Sequence, residues 1–221
     1  MNHPFYQKNK KEQLKFQLTI ASIALLCVAV GFLLAWLLSF WLLAFVIFVI
    51  VITLLAPFID TPSMVKQGRL TYHSLFFLSE TPKNGVIQIH GGTLFDYYFA
   101  IPKDIPKSSR KRFILQQYLE GLLQLIATYE VQPDSDIIIR GTSYIINTKT
   151  AEKLGFQLKN TEGLQQLILI FNYAQITCAN SLANGKLTFP KVSKTKTFEA
   201  SIQDLIARKE RIKELSERLK G

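Results

Sequence analysis

Between Leu18 and Ile59 the chain runs for 42 residues without an Asp, Glu, Lys, Arg, His, Asn or Gln; Thr19, Ser22, Ser39 and Thr53 are the only hydroxyl-bearing side chains in it. A helix needs roughly 20 apolar residues, at about 1.5 Å each, to cross a hydrocarbon core of about 30 Å. The run is therefore about two spans long. Trp36 and Trp41 sit near its middle, and indole rings favour the membrane–water interface. The expectation is a transmembrane hairpin, with spans at 18–36 and 41–59 and a turn at Leu37 to Phe40. The turn holds no Pro, Gly or Asn, so one long tilted helix is the alternative. Pro57 and Asp60-Thr61-Pro62 are expected to close the second span, because the residue before a proline disfavours helix. A secretory signal has a much shorter apolar core followed by a small-residue cleavage site, and neither feature fits this run.

Charge gives an orientation. Residues 1–17 form a basic tail, with Lys8, Lys10, Lys11 and Lys15 against Glu12, while the turn is uncharged. The positive-inside bias places the tail in the cytoplasm, and two spans return the rest of the chain to the same side. Both termini are thus expected in the cytoplasm, at a membrane of the bacterial inner-membrane type. Taking away the tail's four lysines and one glutamate from the chain's 26 Lys+Arg and 16 Asp+Glu leaves the remainder at +7. Beside a cytoplasmic leaflet this charge suits anionic lipid headgroups, and no nucleic-acid-binding motif accompanies it. Cys27 lies in the first span and Cys178 beyond the membrane segment, so the pair suggests neither a disulfide nor a metal site.

The remainder reads as an α+β or α/β cytoplasmic domain, a mixed sheet packed by two long helices, over 60–190. A basic linker and an amphipathic helix follow at 191–221. Arg69 to Ser79 reads as a strand, Glu80 to Gly85 as a turn with the hairpin dipeptide Asn84-Gly85, and Val86 to His90 as a strand. Thr93 to Ile101, apolar and aromatic, reads as its continuation beyond Gly91-Gly92. A helix from Ser108 or Ser109 to about Tyr129 has apolar residues at helical spacing. Pro133-Asp134-Ser135 is a turn, and Asp136 to Ile146 a strand with a bulge or kink at Gly141. Asn147 or Thr148 caps a short helix that Gly155 ends, and Phe156 to Lys159 is a strand. Thr161 to Ala183 reads as one long buried helix ended by Asn184-Gly185, with a strand at 167–171 as the alternative. Lys186 to Phe198 is a linker or an edge strand, and Glu199 to Lys220 a final amphipathic helix. Its stripe, Ile202, Leu205, Ile206, Ile212, Leu215 and Leu219, suits docking on its own domain or pairing with a protein partner or a second copy.

Two groups of residues have the chemistry for a site. His90-Gly91-Gly92-Thr93 with Asp96 offers an imidazole, free backbone amides and a carboxylate, but no Gly-x-Ser-x-Gly elbow accompanies it. The basic run Lys103 to Arg112 stands at a helix start, where Arg110, Lys111 and Arg112 together with helix amides suit a phosphate or an anionic headgroup.

The order of strand 93–101, basic loop, helix 110–129, strand 136–146 and the segment Asn147-Thr-Lys-Thr-Ala151-Glu-Lys-Leu154-Gly155-Phe156 resembles the second half of the GNAT acyltransferase fold, over roughly 65 residues. The family's Gln/Arg-x-x-Gly-x-Gly/Ala loop falls at Ser108 to Phe113, which has no glycine. The resemblance implies a coenzyme A thioester as cofactor, phosphate contacts from Arg110, Lys111 and Arg112, and His90 or Tyr144 as acid/base. The residues therefore support two readings: a membrane-anchored cytoplasmic module that binds a partner or its own copies, and a membrane-tethered acyltransferase. A transporting hairpin is disfavoured, because the spans contain no ionisable group.

Overall fold

The computed structural model describes residues 3–131, 136–161 and 163–220; the turn expected at Pro133-Asp134-Ser135 lies outside them. Helix α1 (Lys10–Leu37) starts well before the apolar run, at a capping box in which Asn9 accepts from the Glu12 amide and Glu12 reaches back to the Asn9 amide. It is long and apolar enough to cross a membrane. Leu25, Leu26, Phe32 and Leu33 on it lie open, where a core helix of the same composition would bury them.

The chain reverses at Leu38 to Phe40, where Ser39 takes a left-handed φ of 51° in place of the missing glycine. Helix α2 (Trp41–Leu55) then packs back along α1. Their seam is made of small residues: Gly31, Ala35 and Ala44 are buried, and a Cβ on Gly31 would lie 2.7 Å from Ile47 Cγ2. Close backbone approach of this kind is how helices associate where lipid removes the hydrophobic drive.

The second expected span is corrected in detail. Helix α2 stops at Leu55, and α3 (Pro57–Lys66) continues at a bend of 43°. Pro57 and Pro62 therefore do not end helical structure. Pro57 occupies the first helical position, where its missing N–H would have had no partner anyway.

Six strands follow in one mixed sheet, in the order β1-β2-β3-β4-β6-β5. The expected strand 69–79 is two, β1 (Leu70–Tyr72) and β2 (Phe77–Glu80). A tight turn with positive φ at both Asn84 and Gly85 joins β2 to β3 (Val86–Gly91). The expected continuation of strand over 93–101 is helix α4 (Leu94–Ala100), because Thr93 and Asp96 close a capping box at its start. Helix α5 (Arg110–Glu130) carries the chain over the sheet to β4 (Ile138–Ser143), which pairs parallel to β3 as this kind of crossover requires. Gly141 makes no bulge. Pairing runs unbroken through it to Phe198, and its missing side chain makes room for Ile89 Cγ1, 2.8 Å from where a Cβ would lie.

Asn147 caps α6 (Thr148–Leu154), Gly155 ends it at φ 100°, and β5 (Gln157–Lys159) follows. The expected single buried helix over 161–183 is two helices, α7 (Gly163–Phe171) and α8 (Tyr173–Asn184), broken at Asn172. Residues after 190 do not form a linker: β6 (Lys196–Ser201) is an interior strand between β4 and β5. The final helix is shorter than expected and broken. Ser201 caps α9 (Ile202–Ala207), and α10 (Lys209–Lys220) follows. Helix α10 lies on α5 with Ile212 and Ser216 sealed between them, so much of its apolar stripe is spent inside the domain.

Two cores result. One lies between the sheet and α5, α6, α9 and α10, around Ile87, Leu125, Ile126, Ile139, Ile202 and Leu205. The other joins the apolar helices α1 and α2 to the domain: Phe5, Phe58, Phe76, Phe95, Ile114 and Ala179 pack together with Phe16, Ile20 and Leu54 at its edge. Replacing Gly31 by Leu should overpack the α1–α2 seam and destabilise the protein by about 1–3 kcal/mol, read as a lowered unfolding midpoint in detergent. An unchanged midpoint would show that the seam is not close-packed.

Candidate functional site

The most concentrated buried polar chemistry lies in the second core. Asp96 has no solvent exposure, and three donors from two parts of the chain meet its carboxylate, with the His3 imidazole beside them. The Thr93 amide and hydroxyl donate to Oδ2 at 2.6 and 3.0 Å, and the Tyr72 hydroxyl donates to Oδ1. His3 Nε2 stands 3.3 Å from Oδ1. Thr93 Oγ1 in turn lies 3.2 Å from Thr61 Oγ1 in α3. Helix α4, strand β1, helix α3 and the segment before α1 thus converge on one carboxylate.

The imidazole is oriented from both sides. His3 Nδ1 accepts the Phe5 amide at 3.3 Å, while Nε2 lies beside Asp96 without a hydrogen bond to it. The ring stacks on Phe95, with centroids 5.1 Å apart, and meets Tyr6 edge-on. Phe5, fully buried, fills the space between Phe16, Phe95 and Phe99. The N-terminal residues expected to form a free basic tail therefore hold the fold together at His3, Phe5 and Tyr6. The lysines of that tail begin only at Lys8.

Burial sets the electrostatics. Tyr72 is pushed far above the ordinary phenol range by burial first and then by the Asp96 charge, and Tyr6 is raised for the same two reasons. With the His3–Asp96 pair sealed from solvent, no substrate atom reaches it while the segment is seated. The arrangement is suited to latching one part of the chain to another.

The residues expected to carry chemistry lie elsewhere. His90 does not share a site with Asp96. It is on the opposite side of β3 from the core, with Nε2 2.9 Å from Glu80 Oε1. Tyr144 follows β4 and is half-buried near Tyr97 and Tyr118, whose hydroxyls are 3.3 Å apart. Burial raises the Tyr144 phenol and pushes Tyr118 up to about 12. The basic triplet is divided: Arg110 Nη1 donates to the Leu182 carbonyl at 3.1 Å, and Arg112 Nε donates to the Leu219 carbonyl at 2.8 Å. Both guanidinium groups thus serve the carbonyl ends of helices α8 and α10, and Lys111 alone of the three stands exposed without such a bond. Among the described residues no group of three His, Cys, Asp or Glu converges on a point.

A second surface comes from the sheet. The face turned away from α5 carries a cross-strand row of polar residues, since register aligns Gln88 with Arg140, Arg140 with Glu199, and Glu199 with Gln157. Arg140 and Lys159 both pair with Glu199, the latter at 3.8 Å. Antiparallel pairs can leave one face to water in this way. No family model matches the chain, and neither the curated proteins nor the solved structures contain a match.

Phe5→Ala should cost about 3–5 kcal/mol, and Asp96→Asn about 1–3 kcal/mol by leaving Thr93 and Tyr72 donors facing an amide. Both should raise amide exchange in residues 3–9; protection equal to wild type would show that the segment is not latched. Tyr6, Tyr72 and Tyr144 keep their protons in the fold at pH values where unfolded phenols, near 10, lose them. The stability they contribute is complete below pH 10 and is lost as pH rises above it. Absorbance titration should show these phenols ionising only together with loss of near-ultraviolet dichroism.

Proposed function

We propose that this protein is a membrane-anchored module in which a two-helix hairpin and a cytoplasmic α/β domain are locked into one unit, and that the domain presents its polar sheet face to a protein partner or to other copies. The observation that carries the proposal is the seating of His3, Phe5 and Tyr6, which precede the first apolar helix, in a core shared with Phe95 and Phe76, which follow the second. Residues before and after the apolar segment occupy one core and so belong on one side of the bilayer. That supports an even number of crossings, with α2 and α3 completing the return as a bent unit. Lys8, Lys10, Lys11 and Lys15 favour the cytoplasm for that side.

An anchor fused to its domain by a buried latch differs from a tether. A flexible linker lets a domain sweep a volume, whereas this one is held at a fixed height and orientation. Arg140, Glu199, Lys159, His90 and Glu80 give its sheet face alternating charge, suited to a partner with complementary charge. An acyl-coenzyme A enzyme would need Arg110 and Arg112 free for pyrophosphate, and both are engaged with backbone carbonyls.

In intact cells, a cysteine at Ser39 should react with an impermeant maleimide from outside, and one at Gln157 only after lysis; the reverse pattern would overturn the orientation. A photo-crosslinking residue at Gln157 should give discrete adducts, between tagged and untagged copies or with a partner, that a residue at Gln124 on α5 does not. Equal yields at both positions would count against the sheet face. The purified full chain should show no saturable coenzyme A binding, and saturable binding would favour the acyltransferase instead.

A further inference from the structure

Helix α7 is apolar and unburied. Leu167, Ile168, Ile170 and Phe171 are 52%, 45%, 60% and 69% exposed, although in a cytoplasmic domain they would be expected to pack inward. The segment after α8 repeats the pattern, with Leu187 and Phe189 at 72% and 64%. It folds back along α8, where Asn180 Nδ2 donates to the Thr188 carbonyl at 2.9 Å and the Thr188 amide donates to Ser181 Oγ at 3.0 Å. The two exposed apolar stretches thus flank one helix.

Helix α8 itself packs against α2 of the membrane segment. Leu54, one residue from the α2 terminus, edges the same core as Cys178, Ala179, Leu182 and Ala183. The exposed apolar stretches therefore flank a helix that itself packs against α2. Its charge is one-sided as well: from Gly163 to Phe198 there is no Asp or Glu, and the only charged residues are Lys186, Lys191, Lys194 and Lys196.

We propose that α7 and the Leu187–Phe189 segment insert into the cytoplasmic leaflet beside the hairpin, with the neighbouring lysines on anionic headgroups. This rests on the proposed hairpin anchor and adds a second, monotopic contact to it. Apolar side chains enter the acyl boundary while lysines stay at headgroup level, the division of labour of interfacial segments. A lipid surface fits better than a protein groove, because the patch has apolar bulk and positive charge with no acidic group that a basic or zwitterionic protein surface would match.

The test uses the full chain, with Cys27 and Cys178 replaced by Ser, in phosphatidylcholine–phosphatidylglycerol vesicles containing chain-brominated lipid. An environment-sensitive fluorophore is placed singly at Phe171→Cys, Leu187→Cys, Leu25→Cys in α1 and Gln157→Cys on the sheet face. The proposal expects the labels at 171 and 187 to lose most of their emission to the bromines, as the label at 25 does, while the one at 157 does not. Quenching at 25 with none at 171 and 187 overturns the inference and leaves the anchor standing. No quenching at 25 overturns the anchor reading itself. Labels at 171 and 187 shielded from both bromines and aqueous iodide would place a second copy or another protein on the patch, and the lipid assignment would fall.

Discussion

A carboxylate removed from water must receive its hydrogen bonds from the protein, or the cost of burying it rises to several kcal/mol. Asp96 meets that demand by drawing Thr93, Tyr72 and His3 around itself. Because Thr93, Tyr72 and His3 come from a helix start, a strand and the segment ahead of α1, accommodating one charge also fixes where those three elements lie. The aromatic shell of Phe5, Tyr6, Phe95 and Phe99 follows, closing over the polar centre and keeping it dry. Apolar packing contributes most of the free energy here, while the carboxylate selects the arrangement.

From that junction the architecture extends in two directions. In the apolar helix pair, Gly31, Ala35 and Ala44 let two backbones approach closely. In the α/β domain, α5 crosses the sheet and α10 settles on α5, with Arg112 bonded to the carbonyls at the end of α10. The sheet buries one face under helices and turns the other, with Gln88, Arg140, Glu199 and Gln157, outward. The proposed function and the proposed leaflet contact concern surfaces on the same rigid body, one polar and one apolar.

Where local chemistry decides structure, the chain was readable. The apolar helix α1, the Asn84-Gly85 turn, the Asn147 cap, the Gly155 stop and the periodicity of α5 all stand as the residues suggest. Residues 94–100 form a helix although their aromatics suit a strand, because Thr93 and Asp96 close a capping box that composition alone does not register. Lysines at 191, 194 and 196 suggested an edge, yet Thr197, Phe198 and Ala200 are the buried positions that make β6 an inner strand. The latch was beyond local reasoning, since His3 and Asp96 meet only through the tertiary fold. A signal did exist: His-Pro-Phe-Tyr is too aromatic for a tail whose only task is to carry charge.

The latch also constrains the order of assembly during synthesis. His3, Phe5 and Tyr6 precede both apolar helices in the chain, whereas Tyr72, Phe95 and Asp96, which receive them, follow both. The segment ahead of α1 cannot be seated until α1, α2 and the first strands have been made and have folded. Residues made before α1 are thus among the last to find their place, because the core that holds them is completed by residues made after α3.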